Sequence, residues 1–139
     1  MSSLYLLDTN MVTYIQRGVP SVLSRLNELG AQHVALSSIV VAELAYGVEK
    51  SANRQRNRKV LEIFLSEVRV LPWAGDAMWH YARHNHALRR SGQRIGEMDL
   101  LIGCHALALN AVCVTNNTRE FERIEGLKLE NWVTPLEPA

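Results

Sequence analysis

Short apolar runs recur along the chain, and longer segments with helical spacing separate them. Leu4-Tyr5-Leu6-Leu7 lacks the polar alternation of a half-exposed strand, which predicts a strand buried on both faces of a parallel sheet. Val34-Ala35-Leu36 predicts a second short strand, and Ala111-Val112-Cys113-Val114 predicts another buried one. Two further runs predict strands near the sheet edges. One is Val70-Leu71-Pro72-Trp73, which proline ends, and the other is the alternating Leu127-Lys128-Leu129-Glu130.

The segments between these strands have the apolar spacing of helices. The predicted helices cover residues 11–17, 19–29, 39–51, 60–68, 76–90 and 97–109, with a short one around Glu120. Residues 53–58 are expected to form a turn or the exposed start of the helix over 60–68. Thr9 and Asn10 are expected to cap the first helix, and Ser37 or Ser38 the third. In the helix over 76–90, the residues expected to face the core are Met78, Tyr81, Ala82 and Leu88. The alternation of strands and helices predicts the α/β class, with helices on both sides of a mainly parallel, twisted sheet.

Length and composition indicate one globular domain. A chain of 139 residues that is 47% hydrophobic and 21% charged is large enough for a single core. We expect this domain over residues 1–134 and a loose tail over 135–139. Cys104 and Cys113 lie in apolar runs, which indicates buried thiols rather than a disulfide framework. The sequence has no signal-peptide pattern and no apolar run of spanning length, so we expect a cytoplasmic protein without a membrane partner.

The charges are balanced overall but unevenly distributed. The formal net charge is +1, so bulk charge does not indicate a nucleic-acid binder. Residues 50–59 and 83–94 are basic stretches, whereas acids are frequent in the remainder of the chain after them. Either stretch also has the composition of an ordinary solvated helix face. The candidates that these stretches supply for contact with an RNA backbone are Lys50, Arg54, Arg56, Arg89 and Arg90.

Four acids follow a predicted strand or open a predicted helix: Asp8, Glu43, Asp99 and Glu120. A parallel sheet with right-handed crossovers brings such positions to one edge. Simpler explanations exist: Asp8 can be a helix cap, Glu43 can reach solvent, and Asp99 can complement a helix dipole. Glu43, however, is the only charged residue in the ten-residue apolar stretch 39–48, where a buried carboxylate needs a partner or a metal.

Four carboxylates at one point predict a site for a hard cation. Clustered carboxylates raise each other's pKa unless a cation neutralises them, and oxygen ligands without His or Cys select Mg²⁺ or Mn²⁺. Such a site serves phosphodiester hydrolysis, because the cation activates water and stabilises charge on the attacked phosphate. The polar residues that flank the acids and are expected to support them are Thr9, Asn10, Thr115 and Asn117. The histidines at 80, 84 and 86 are better explained as surface residues.

The same four regions contain longer motifs. They are Leu-Leu-Asp-Thr-Asn near the start, Ser-Ser-Ile-Val-Val-Ala-Glu-Leu-Ala-Tyr-Gly from Ser37, Gly-Glu-Met-Asp-Leu-Leu-Ile-Gly-Cys-His-Ala-Leu from Gly96, and Val-Thr-Asn-Asn-Thr-Arg-Glu-Phe-Glu-Arg-Ile from Val114. In this order and at these separations, the motifs resemble the PIN-domain family. More closely, they resemble the VapC toxins of bacterial toxin–antitoxin pairs. The resemblance covers residues 4–132.

The resemblance implies a three-layer α/β/α fold, a homodimer, and an Mg²⁺- or Mn²⁺-dependent endoribonuclease that a small VapB-like antitoxin inhibits. It implies that Asp8, Glu43 and Asp99 are core acids. Many PIN domains have an Asp at the position of Asn117, whereas VapC relatives resemble this chain in having the fourth acid at Glu120. We therefore expect Glu120 to be the fourth acid and Asn117 a polar neighbour, and the number of bound metals stays open. The resemblance further implies a structured RNA such as tRNA as substrate.

We expect Asp8 and Asp99 to bind the metal. Glu43 and Glu120 are expected to complete its coordination shell, and one of these two glutamates positions or deprotonates the attacking water. A rival interpretation is a catalytically degenerate PIN fold that binds RNA or acts as a scaffold. A phosphoacceptor domain would need an acid pair near Asp8 and a lysine after the last core strand, and the sequence has neither. A nucleotide-binding fold would need a glycine-rich phosphate loop, which is also missing from the sequence.

Overall fold

A computed structural model describes residues 3–134, and within them five strands form one sheet. The strands are β1 (Tyr5–Leu7), β2 (Val34–Ser37), β3 (Arg69–Leu71), β4 (Val112–Val114) and β5 (Lys128–Glu130). Their order is β3-β2-β1-β4-β5 and every pairing is parallel, so both strands predicted near the edges lie there. The expected tail over 135–139 lies outside the described residues.

Helices connect these strands and flank the sheet. Within residues 3–134 they are α1 (Thr9–Gln16), α2 (Pro20–Leu29), α3 (Ser38–Glu49), α4 (Arg54–Glu67), α5 (Ala77–Arg90), α6 (Glu97–Ala108) and α7 (Thr118–Phe121). A single 3-10 turn, Ala31–His33, precedes β2. The parallel sheet with its flanking helices confirms the predicted three-layer α/β/α class.

The centre of the sheet is also the point where its strand order changes direction. From β1 the chain builds β2 and β3 on one side, and it later builds β4 and β5 on the other. Asp8 follows β1 and Thr115 follows β4, and the Asp8 N–H donates to the Val114 carbonyl at 3.0 Å. Open α/β sheets bind ligands at the carboxyl ends of the strands that flank such a switch point. Topology therefore places Asp8 at the position where this fold class forms its sites.

Helix α6 forms much of the core. Residues 100–106 are buried apart from a half-buried Leu101, as the apolar composition of this helix predicted, while Met98 in its first turn is exposed. Gly103 lets α6 approach the segment that contains α7, because a Cβ at this position would meet the Cδ1 atom of Ile124. The glycine therefore permits close packing between α6, which carries Asp99, and the segment that includes α7, which carries Glu120.

Two expectations about helices are wrong. Thr9 and Asn10 do not cap α1 but lie in its first turn, because Asp8 is the cap: its Oδ1 accepts the Met11 N–H at 2.8 Å. In α5, Met78 and Ala82 do not face the core; both are exposed, Leu88 is buried and Tyr81 is half-buried. The reason is that α5 packs mainly against α6, which covers a narrower stripe of its surface than a sheet would.

Other predictions of side-chain burial are confirmed. Cys104 and Cys113 are buried free thiols, and burial raises the pKa of Cys104 to about 12. His80 and His84 stack on each other with ring centroids 6.3 Å apart at the partly exposed surface of α5.

Among residues 3–134, none of the helices combines the length and the apolar composition that a membrane span requires.

Candidate active site

Asp8 is the most enclosed acid of the site, with 4% of its surface exposed. One carboxylate oxygen accepts the Met11 N–H, and the other accepts the Thr115 hydroxyl at 2.6 Å. Burial raises the pKa of Asp8 above its ordinary 3.8, the two hydrogen bonds oppose that rise, and the nearby Glu43 adds to it. The side chain is thus a helix cap and a fixed carboxylate at the switch point at the same time.

Asp99 lies in the first turn of α6 and faces the other acids. Partial burial and then the negative charges of Glu120, Asp8 and Glu43 raise its pKa to about 7. Every one of these causes disfavours the carboxylate form, so the site holds more negative charge than its own donors neutralise. This shift ties all four predicted acids to one electrostatic cluster.

Glu43 is half-buried on α3, and it reaches across to α1. The Thr9 hydroxyl donates to its Oε1 at 2.5 Å. Helix α3 is less buried than its apolar sequence indicated, since Ala42 and Ala45 on either side of Glu43 are exposed. The carboxylate therefore reaches a solvent-accessible part of the molecule while keeping a protein donor.

Glu120 and Asn117, the two candidates for the fourth position, are hydrogen-bonded to each other. The side-chain amide of Asn117 donates to Oε2 of Glu120, and the backbone N–H of Gly96 donates to Oε1 of Glu120 at 2.6 Å. The Asn117 N–H in turn donates to the Thr115 hydroxyl at 2.9 Å. Thr115 is therefore shared, because it donates to Asp8 and accepts from the loop that presents Glu120. Asn10, by contrast, is exposed on α1.

A groove of about 460 Å³ runs between α1, α3 and α4 and includes Glu43 in its wall. Of the predicted RNA contacts, Lys50 lines this groove, and its ammonium lies 5.1 Å from the ring centroid of Tyr46. Arg54 forms an exposed ion pair with Glu49 at 3.1 Å, and Arg56 lines a separate depression on α4. Arg89 and Arg90 are exposed at the end of α5, where Arg89 donates to Asn85.

Comparison with known proteins identifies the family. A family model described as PIN domain matches residues 5–127. This chain belongs to the PIN-domain family. It is 43% identical over 131 residues to Ribonuclease VapC2 of Rickettsia felis, with 93% of this chain and 98% of the relative covered. It is 37% identical over 128 residues to the tRNA(fMet)-specific endonuclease VapC of Shigella flexneri, with 92% and 97% covered.

A solved structure agrees with the sequence relatives. The crystal structure of VapBC2 from Rickettsia felis bound to a promoter DNA fragment contains a chain that superposes on this PIN domain with a TM-score of 0.87. That chain is 42% identical, and the match covers 94% of this PIN domain and 99% of the neighbour. The predicted resemblance to VapC toxins is confirmed at the level of the family.

The acids of this PIN domain are of the ligand type that divalent cations prefer, but their side chains are not arranged as a coordination site. Among residues 3–134, no three acidic, histidine or cysteine side chains are arranged to hold an ion. The carboxylate of Glu43 accepts a hydrogen bond from Thr9, and the carboxylate of Glu120 accepts hydrogen bonds from Gly96 and Asn117. The donor set nevertheless consists of carboxylate oxygens, and the pKa of about 7 at Asp99 reports negative charge that a cation would neutralise.

Sequence reasoning missed two groups that organise this site. The Gly96 N–H binds Glu120, and its signal was the glycine that opens the motif around Asp99. Ser37 caps α3 through the Ile39 N–H at 3.2 Å, as predicted for one of the two serines, but its hydrogen bond with Nδ1 of the buried His105 at 2.8 Å was not predicted. The signal for this pair was a lone histidine in the apolar part of α6. Both groups act on the elements that present the acids.

Proposed function

We propose that this PIN domain is a metal-dependent endoribonuclease toxin of a type II toxin–antitoxin system and that it hydrolyses phosphodiester bonds in tRNA. The observation that carries the proposal is the electrostatic cluster of Asp8, Glu43, Asp99 and Glu120 at the switch point of the sheet. These acids come from four separate parts of the chain, and together they raise the pKa of Asp99. Perturbed acids that converge at a ligand-binding edge indicate a catalytic role.

Asp8 and Asp99 are the residues that we assign to hold Mg²⁺ or Mn²⁺, with Glu43 and Glu120 completing the shell. A bound cation of this kind supplies activation of water and stabilisation of charge on the attacked phosphate and the leaving oxygen. Thr115 and the Met11 N–H fix both oxygens of Asp8, so that its carboxylate needs no reorganisation when the ligand arrives. Asn117 and Gly96 play the same part for Glu120.

Glu43 is the better candidate to accept the proton of the attacking water. Both oxygens of Glu120 accept hydrogen bonds from the protein, whereas the hydrogen bond from Thr9 engages Oε1 of Glu43. Glu43 also lines the groove between α1, α3 and α4, while Asp8, Asp99 and Glu120 are not among the residues of its wall. A carboxylate that is oriented by one hydroxyl and is open on its other side can take up a proton from water beside it.

The partners follow from the relatives. The similar structure from Rickettsia felis was solved as VapBC2 bound to DNA, and the Shigella flexneri relative is named for tRNA(fMet). We extend both to this chain, with a VapB-like antitoxin as its inhibitor and tRNA as its substrate. The homodimer that the family resemblance implies stays a prediction, which the molar mass in solution tests.

The test is cleavage of an end-labelled tRNA pool by the purified protein with Mg²⁺, with Mn²⁺ and with EDTA. The expected result is discrete products that require a metal and are lost in Asp8→Asn, because Asn keeps the helix cap but removes the charge. Binding of tRNA without cleavage in any metal would favour the degenerate scaffold instead. Equal cleavage by Asp8→Asn would trace the activity to a contaminating nuclease.

A further inference from the structure

An aromatic ring stands exposed beside the acids. Tyr46 lies three residues after Glu43 on α3, which places both side chains on neighbouring positions of one helix face. The ring is 66% exposed, although the ammonium of Lys50 lies 5.1 Å from its centroid. Both Tyr46 and Lys50 line the groove that begins at Glu43. A cation and an accessible aromatic ring therefore follow the acidic site in order along α3.

The rest of the groove wall combines polar and apolar side chains. Thr9 and Thr13 come from α1, and Asn57 and Val60 from α4. The wall is open at Gly47, where a Cβ would meet no atom within 4 Å. The groove thus offers hydrogen-bonding groups, a ring and a positive charge in a space that is continuous with Glu43.

We propose that this groove binds the unpaired nucleotide next to the scissile phosphate, with its base stacked on Tyr46 and its phosphate paired with Lys50. The inference rests on the proposed ribonuclease activity. Proteins bind single-stranded RNA by stacking bases on aromatic side chains and by placing cations along the backbone. A base inside a duplex is already stacked and cannot reach Tyr46, so cleavage requires an unpaired nucleotide at this position.

The occupant that the observations favour is RNA rather than a protein segment. Glu43 belongs to the proposed catalytic cluster and also lines the groove, so a nucleotide in the groove would lie beside the cluster at this residue. The Tyr46–Lys50 pair matches the ring and the phosphate of one nucleotide. If a protein partner used the groove instead, substitutions in it would leave RNA binding and cleavage unchanged.

Binding without cleavage isolates the role of Tyr46. The probe is a short single-stranded oligoribonucleotide that carries 2-aminopurine, titrated with protein in EDTA, and stacking on Tyr46 should quench its fluorescence. Tyr46→Ala should weaken binding roughly 5- to 150-fold and abolish the quenching, the range expected for loss of one base–aromatic stack. Tyr46→Phe should retain both, because it keeps the ring. Equal affinity and quenching in Tyr46→Ala would overturn the proposal.

Two further variants separate the groove from the fold. Gly47→Leu places a side chain in the open part of the groove and should block the probe, while leucine favours the helix. Trp79→Ala is the matched control, since Trp79 is also an exposed aromatic residue, lies on α5 and does not line the groove. It should bind the probe like the wild type. Full binding by Gly47→Leu would contradict the proposal.

Cleavage distinguishes this inference from the proposed function. In Mg²⁺ or Mn²⁺ the wild type should cut a single-stranded RNA and spare the same sequence in a duplex, and Tyr46→Ala should raise KM for the single strand with little change in kcat. A wild type that cuts no RNA would refute the proposed function itself. A wild type that cuts both forms equally, or a Tyr46→Ala variant with unchanged KM, would refute only the groove assignment.

Discussion

Thr115 is the residue on which the enclosed acid depends. Its hydroxyl donates to Asp8 at 2.6 Å, and Asp8 is 4% exposed. A hydrogen bond to a buried carboxylate contributes roughly 1.5–3 kcal/mol in favour of the charged form. Thr115→Val removes this donor with little change of shape, so the pKa of Asp8 should rise further.

We therefore predict that Thr115→Val lowers cleavage and shifts the acidic limb of the pH–rate profile to higher pH. Rates measured over a pH series, with the circular dichroism of each protein as the control for folding, check the prediction. A variant that is slower but has an unmoved acidic limb would mean that Thr115 acts only through packing.

Asp99 couples the charge of the site to stability. Its pKa of about 7 in the folded protein lies above the ordinary 3.8, so between those pH values the folded chain holds a proton that the unfolded chain has released. This group's contribution to the free energy of unfolding is therefore largest below about pH 4 and falls as the pH rises toward 7. Above that pH the ionised carboxylate destabilises the fold unless a cation is bound.

The corresponding experiment is thermal unfolding in EDTA at a series of pH values. We predict that the Tm of the wild type falls between about pH 4 and about pH 7 and that the Tm of Asp99→Asn falls less steeply over this range. At the upper end of the range, Mg²⁺ should raise the Tm of the wild type. Asp8 contributes in the same direction because its pKa is also raised. An identical slope in Asp99→Asn would contradict the assignment of the charge to this residue.

Residue identities could be predicted from the sequence better than residue contacts. Strand ends and helix starts located Asp8, Asp99 and Glu120, because backbone position follows from the pattern of apolar residues. The hydrogen bond between Asn117 and Glu120 agrees with the expectation that they are neighbours, while the role of Glu120 as the fourth acid stays a prediction. Contacts such as Gly96 with Glu120 depend on packing between segments 24 residues apart, and no local pattern encodes them.

At the scale of elements, two helical glycines have opposite surroundings. A Cβ at Gly103 in α6 would meet Ile124, with Leu127 at 3.4 Å and Phe121 at 3.5 Å, whereas a Cβ at Gly47 in α3 would meet nothing within 4 Å. Gly103→Val overfills the contact between α6 and the α7 segment, which costs about 1–3 kcal/mol. Gly47→Ala lacks that conflict and should stabilise α3 by about 0.5–1 kcal/mol.

Chemical denaturation of both glycine variants tests this difference. We predict that Gly103→Val lowers the free energy of unfolding and also lowers cleavage, because moving the α7 segment displaces Glu120. Gly47→Ala should raise the free energy of unfolding. Equal stability of the two variants would show that the segment around Ile124 yields easily to the added side chain.

The elements themselves were largely predictable, and the exceptions have physical causes. The parallel strands were recognisable as short apolar runs, and α6 as a helix without a polar face. The inward face of α5 was not, because its partner is a neighbouring helix and the exposed Met78 has the same hydropathy as a core residue. The cap of α1 was assigned to the wrong residues because Asp8 is both the helix cap and a carboxylate of the candidate site. The sequence pattern presented these two roles as alternatives.

At the scale of the whole molecule, the distribution of cations decides how RNA is held. Lys50 lies in the groove beside the acids, while Arg56 lies in a separate depression and Arg89 at the end of α5. Each cation that contacts a phosphate of single-stranded RNA should add about 0.7 to the slope of log affinity against log salt. Solvated cations should add nothing.

Salt titrations of RNA binding in EDTA therefore map the contact surface. We predict that Lys50→Gln reduces the slope by about 0.7. The slopes of Arg56→Gln and Arg89→Gln then show whether residues 50–59 and 83–94 contact RNA at those positions as well. Lys128→Gln on β5, outside both stretches, is the control and should keep the wild-type slope. A wild-type affinity that hardly changes with salt would exclude both stretches as RNA contacts.

The most direct test of the central claim compares two acids in the same helical turn. Asp99 belongs to the electrostatic cluster, whereas Glu97, two residues earlier in α6, is exposed and hydrogen-bonded to Tyr81. Asp99→Asn should reduce metal-dependent RNA cleavage by at least about 10²-fold, and Glu97→Gln should cleave like the wild type. Wild-type cleavage by Asp99→Asn, or an equal loss in both variants, would contradict the assignment of the reaction to this cluster.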